Sequence, residues 1–221
     1  GPQTEHVRID EQQACAQLVE FAGNFMPELA PRIEFYTGAR PVFDLFGVED
    51  DIRKALDRKV ELKSGGYLII DQTEALTTVD VNTGAYVGHR NLEETIFRTN
   101  LEAAVTMARQ LRLRNLGGII IIDFIDMLEA AHRQQVMDAL VAALAGDHGR
   151  ALIASESPLG LVAMTRKRTR ESLERLMCKP CPTCDGRGQL KTPETVCYEI
   201  FREILRQHGQ FNFKEYVVLA Q

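Results

Sequence analysis

Residues 65–83 read GGYLIIDQTEALTTVDVNT, and the later run 117–126 reads GGIIIIDFID. In the first stretch the period-two alternation of a strand puts Thr77, Val79 and Val81 on one side and Leu76, Thr78, Asp80 and Asn82 on the other. Asp80 and Asn82 therefore share a face. The segment 67–70, turned back by Gln72-Thr73-Glu74, makes a hairpin with it. In the second stretch four isoleucines are closed by Asp123, an apolar run that reads as an interior parallel strand. Residues 91–115 between them carry Phe97, Leu101, Ala104, Val105, Ala108 and Leu111 at helical spacing, with Asn91 and Glu94 as a capping pair. Strand, helix, strand is a crossover unit with parallel strands. Asp80 and Asp123 then emerge at one edge of the sheet, the carboxyl edge at which open α/β sheets bind ligands.

Working outward, the chain of 221 residues is 45% hydrophobic, enough for one or two domains with a core. No apolar run nears the ~20 residues of a membrane span and no signal-peptide pattern opens the chain, so a cytoplasmic protein is expected. The opening Gly1-Pro2 reads as the remnant of a cleaved tag, which places the numbering inside a longer natural protein. A net charge of -5 argues against simple electrostatic binding of nucleic acid but leaves room for a nuclease whose acidic site is neutralised by metal. Of five cysteines, Cys178, Cys181, Cys184 and Cys197 cluster, which without a secretion signal favours metal over disulfides.

Before the hairpin, residues 4–10 turn strand-like, 11–25 carry Ala14, Leu18, Phe21 and Ala22 at helical spacing, and 33–36 form a short strand in a proline-broken segment. Residues 48–56 predict a charged helix and 59–63 a strand. After Asp126 a helix is expected over 129–145, with Val136, Leu140, Ala143 and Leu144 inward, then a strand at 151–154. Ser157-Pro158-Leu159-Gly160 is read as opening a helical stretch. The final expectations are a helix over 195–207 and a strand over 211–219.

Two carboxylates with a neighbouring Asn suit Mg²⁺, which prefers oxygen ligands, takes one or two protein carboxylates and keeps waters that leave room for a phosphate. The competing reading is that Asp80 and Asp123 cap turns or receive salt bridges. Asp126 is either a third ligand or the cap of the next helix, and Asp71 is structural. No histidine pair at ligand spacing and no nucleophile-base arrangement points to acyl transfer. Residues 166–170, RKRTR, with Arg109, Arg112 and Arg114, either hold phosphates or form a solvated face. Arg150 precedes a strand, where a guanidinium can reach a phosphate. Cys181-Pro-Thr-Cys184 supplies half of a tetrahedral Zn²⁺ site; Cys178 and Cys197, or the same pair from a second chain, would complete it.

The stretches SGGYLIIDQTEALTTVDVNTG, HRNLEETIFRTNLEAA, ARQLRLRNLGGIIIIDFIDM, GLVAMTRKRTRESLE and CPTCDGRG together resemble the bacterial ribonuclease E/G endoribonucleases. The resemblance implies an α/β fold, a mixed sheet with flanking helices. It divides the chain into the second half of a ribonuclease H-like subdomain at 1–55, a deoxyribonuclease I-like catalytic subdomain at 56–177, a zinc-link at 178–191 and the start of a small oligomerisation domain at 192–221. Asp80 and Asp123 match the family's Mg²⁺-binding aspartates and Asn82 the asparagine beside them, giving the catalytic set. Cys181 and Cys184 match the cysteines that share one Zn²⁺ between protomers, with Cys178 extra to that pattern. Arg150, aligned across a variable loop, falls at a substrate-contacting position, and Arg166 and Arg168 join it as expected substrate residues. The implied function is Mg²⁺-dependent cleavage of single-stranded RNA by a homodimer or higher homo-oligomer, leaving a 5′-phosphate and a 3′-hydroxyl. The family's S1 and 5′-phosphate-sensing regions lie before this stretch and are not in it. The rival expectation is a non-catalytic, zinc-linked oligomerisation or RNA-binding module.

Overall fold

A computed structural model describes residues 4–84, 92–147, 149–156, 160–211 and 215–217. The chain divides into two compact units, Gly1–Leu176 and Met177–Gln221. The first contains both predicted sheet segments. It begins with β1 (Val7–Ile9), α1 (Gln12–Phe25) and β2 (Ile33–Phe35), then α2 (Val42–Leu45) and α3 (Val48–Leu56). Glu11 caps α1, its Oε1 accepting from the Gln13 N–H at 3.0 Å. β1 and β2 pair in parallel, and Cys15, Ala22 and Ile33 form a small core cluster beside them. The expected division at residue 55 falls inside this first unit.

The main sheet comprises β3 (Lys59–Glu61), β4 (Tyr67–Gln72), β5 (Leu76–Asn82), β6 (Gly118–Asp123), β7 (Leu152–Glu156) and β8 (Leu161–Arg166), in the order β3-β4-β5-β6-β8-β7. β4 and β5 form the predicted hairpin. β5 and β6 run parallel, joined by α4 (Leu92–Leu113), and β8 returns antiparallel to β6. The helical reading after Gly160 is overturned: β-branched and apolar residues at 161–166 pair with β6 on one side and β7 on the other. Asn91 of the expected capping pair and Ser157-Pro158-Leu159 lie outside the described residues.

One face of this sheet is the core. Leu68, Ile70, Val79, Val81, Ile120, Ile122, Val162 and Met164 are buried there, together with Ala103, Ala104, Met107, Ala108 and Leu111 of α4 and Val136, Leu140 and Leu144 of α5 (Ala130–Leu144). The alanines let α4 approach closely, and each buried Leu or Ile contributes about 1.5–3 kcal/mol. Val105, expected inward, is 56% exposed because it falls off this stripe. The other sheet face is open: Ile119 is 50% exposed and Leu152 70%. β6 is therefore interior in strand order but buried on one side only, so its apolar run overstated its burial.

α6 (Leu173–Met177) closes the first unit and α7 (Pro193–Gln210) dominates the second, its N-cap Thr192 accepting from the Thr195 N–H at 3.2 Å. Phe211 and 215–217 are not strand; the rest of the expected C-terminal strand lies outside the described residues. Among the described residues no helix is long and apolar enough to cross a membrane.

Candidate functional site

Asp80 and Asp123 are direct register partners at the C-terminal ends of β5 and β6. Directly opposed residues of neighbouring strands project to one face, and for this pair it is the open one, because Val79, Val81 and Ile122 occupy the core face. Both aspartates are exposed at the sheet's rim. Asn82 lies two residues beyond Asp80 on the same face and donates from Nδ2 to Asp80 Oδ2 at 2.9 Å. Burial pushes the Asp123 carboxyl above its ordinary range, and the charges of Asp80 and then Asp126 push it further. This is an acidic pair that repels itself until a cation neutralises it. All its donor atoms are oxygen, and Arg58, which feels the Asp80 charge, is held bidentately by Asp71 at 2.5 and 2.6 Å. Such a set fits a hard divalent cation. Asp71 is thereby structural.

Asp126 neither caps α5 nor completes a three-carboxylate set. Glu129 holds the N-cap position, and the Leu128 and Glu129 N–H groups are taken by Glu93 of α4, at 3.1 and 3.2 Å. Among the described residues no three of His, Cys, Asp and Glu gather as a metal-binding group.

Sequence reasoning missed the residue that fixes the chain just after Asp123. Asn100 of α4 is fully buried, donating from Nδ2 to the Ile125 carbonyl at 2.8 Å and accepting from the Ile125 N–H at 3.1 Å. The signal was present: Asn100, Ala104, Met107 and Leu111 recur at core spacing, and a polar residue there needs a partner.

The three expected substrate arginines all belong to the opposite edge of the sheet. β8 is antiparallel to β6 with Gly118 opposite Arg166, and β7 pairs Leu152 with Thr165, so Arg150, Arg166 and Arg168 lie toward the N-terminal end of β6. Arg166 is interior, only 5% exposed. Its guanidinium donates to Asp147 at 2.6 and 2.9 Å and to the Leu116 carbonyl at 2.5 Å. The cause is plain: Arg166 continues the core-facing alternation of Val162 and Met164, so its charge is paired inside the fold. Arg150 and Arg168 are exposed. Arg112 donates to the Ala143 carbonyl and Arg114 is buried, which assigns both to packing.

In the second unit Cys181 and Cys184 sit in a tight turn with left-handed backbone at Asp185, Gly186 and Gly188. The Gly188 N–H donates to Cys184 Sγ at 3.3 Å. Backbone N–H groups of Cys184 and Thr183 hold the Cys181 thiol below its ordinary range, favouring the thiolate that ligates metal. The pair fits half a tetrahedral zinc set. Among the described residues Cys178 and Cys197 do not gather with it into a metal-binding group.

The ribonuclease E/G family model matches residues 1–169. Ribonuclease G of Salmonella typhimurium is 58% identical over 99% of this chain and 45% of its own length. Ribonuclease G of Escherichia coli K12 is 58% identical over 98% and 44%, and Ribonuclease E of that strain is 41% identical over 86% and 18%. The chain thus spans under half the length of these relatives. With the family pattern running through the hairpin, the crossover and both aspartates, this chain belongs to the ribonuclease E/G family.

Proposed function

We propose that this chain is the catalytic core of an endoribonuclease that hydrolyses phosphodiester bonds in single-stranded RNA, acting in cytoplasmic RNA processing and decay. The observation that carries the reading is the register pairing of Asp80 with Asp123 on the open face of the sheet, in a chain of this family. Asp80 and Asp123 would hold Mg²⁺. When bound, that ion acidifies water and offsets charge on the phosphate oxygens. The protein's own part is positional. Asn82 fixes the orientation of the Asp80 carboxylate through its 2.9 Å hydrogen bond. Asn100 and Glu93 pin the segment that follows Asp123. Water oxygen bonds to phosphorus, the bond to the 3′ oxygen breaks and that oxygen leaves with a proton, giving a 5′-phosphate and a 3′-hydroxyl. Arg150 and Arg168, at the far edge, engage backbone phosphates away from the scissile one.

The second element of the proposal is that Cys181 and Cys184 share one Zn²⁺ with the same pair of a second protomer. Its support is a turn that supplies two preorganised sulfurs. A purely architectural module would have the zinc link without cleavage. The deciding experiment is Asp80→Asn and Asp123→Asn in the full-length protein, with a 5′-monophosphorylated single-stranded oligomer. Cleavage should fall by more than about 100-fold, beyond the usual cost of losing a residue that only supports a ligand. Unchanged turnover sinks the catalytic reading.

A further inference from the structure

At the sheet edge opposite the aspartates, a cavity of about 390 Å³ is lined by Arg168, Arg170 and Arg175 with Asn115, Ser172 and Glu171 among its walls. Three arginines against one glutamate make it locally basic in a chain whose net charge is -5. Its construction separates it from a merely solvated basic run. Gly117 and Gly118 leave room for the Arg168 side chain: a Cβ on Gly117 would come within 2.8 Å of Arg168 Cγ, and one on Gly118 within 2.8 Å of its Nη2. Arg168 lies across that bare backbone, donating from Nε to the Gly117 carbonyl at 3.2 Å. Asn115, in the left-handed region at φ 49, donates from Nδ2 to the Arg170 and Glu171 carbonyls at 2.8 and 3.1 Å and accepts from the Thr169 hydroxyl at 3.2 Å. The loop is therefore braced before any ligand arrives, which reduces the ordering cost of binding. Among the described residues the Arg170 guanidinium has no hydrogen bond or ion pair, and Arg175 has only a long contact of 3.8 Å with Glu171. Planar guanidinium forks on a rigid loop suit the oxygens of a phosphate.

We propose that this cavity is an anchoring subsite for a backbone phosphodiester of the RNA, separate from the cleavage centre. The five residue steps from Gly118 to Asp123 put it roughly 17 Å from the aspartate pair. It therefore holds a phosphate several nucleotides from the scissile one. The proposal rests on the RNA-cleaving reading and adds a second point of attachment to it.

The test is binding of a fluorescent single-stranded 12-mer RNA to this chain across a salt series. The combined variant Arg168→Gln, Arg170→Gln, Arg175→Gln should raise Kd about tenfold, and the slope of log K against log salt should shallow by about 0.7 for each phosphate that is no longer neutralised. Glu171→Gln, which removes the one acidic wall, should tighten binding about two- to threefold, a gain that misfolding cannot imitate. Asp80→Asn should leave this salt slope in place while removing cleavage, so failure of the catalytic reading and failure of the subsite are distinguishable. Inorganic phosphate, titrated as the probe in a competition arm, should displace the 12-mer from the parent chain and not from the triple variant. An unchanged slope in the triple variant, or phosphate binding there without any effect on RNA, overturns the proposal.

Discussion

Asp80 and Asp123 end neighbouring strands whose other face buries Val79, Val81, Ile120 and Ile122, whereas Cys181 and Cys184 occupy a turn in which, among the described residues of 177–221, only Cys184 is buried. The carboxylates are brought together by a hydrophobic core that forms without them. The cysteine sulfurs are brought together by a few backbone N–H groups and left-handed residues, with almost no apolar burial to hold the turn closed. In the first case the fold holds the site. In the second, under the zinc-sharing proposal, a metal ion and the ligands of a second protomer would supply much of what holds the fold, as structural zinc does in small modules.

The largest expected consequence of that contrast is an asymmetry in metal removal. Cys181→Ser with Cys184→Ser should abolish zinc binding, convert dimer to monomer by mass in solution, and strip protection from amide exchange in residues 178–191. The sheet's amides and its melting should be unaltered. A chelator that removes a divalent cation from the aspartates should do the reverse, ending cleavage with no loss of fold. If the double cysteine variant kept its dimer and its exchange protection, the turn would be self-supporting and the contrast would break.

A smaller effect sharpens the aspartate side. Asn100→Ala deletes both hydrogen bonds to Ile125 and leaves a half-buried N–H and carbonyl unpaired, costing about 1–3 kcal/mol in chemical denaturation. Because Asn100 touches the chain two residues after Asp123, its loss should also lower divalent-ion affinity, read by calorimetry. An Asn100→Ala variant with unchanged stability would show that the strand ends are set by the β-ladder alone.

How much of this was legible follows the same division. Strand alternation and one crossover sufficed for β4, β5, α4 and β6, and hence for the aspartate pair, because hydrophobic period and chain direction together fix face and edge. The surroundings of the arginines were not legible, because they depend on β8 entering antiparallel beside β6, a pairing that no local pattern announces. Once residues 161–166 are a strand, Arg166 falls on the core face by simple alternation. Asp126 was misjudged because Glu129 stands at the N-cap of α5, and the N–H groups of Leu128 and Glu129 are taken by Glu93, 36 residues before Glu129. Such distant partners are invisible to a rule about neighbouring residues.

Arg166 and Asp147 offer the finest probe, since they are a buried charge pair in the fold-held unit, with side chains 5% and 2% exposed. The Arg166 guanidinium holds the Asp147 carboxyl below its ordinary range, against the opposing effect of burial and with help from the Gly149 N–H. A carboxyl with a lowered folded-state pKa contributes stability that is fully present above the unfolded value of about 3.9 and is lost as pH falls through the folded value. Thermal melts of the first unit should therefore hold level from neutral pH to about 5 in this contribution and then decline. Asp147→Asn removes the titrating group, so the variant should begin lower at pH 7, having left the Arg166 charge unpaired in the interior. Its acid decline should be shallower, so the two melting curves converge as the pH drops toward 3. Parallel curves would mean that Asp147 keeps an ordinary pKa and that the pair, like the cysteine turn without its metal, is positioned by its surroundings and adds nothing of its own.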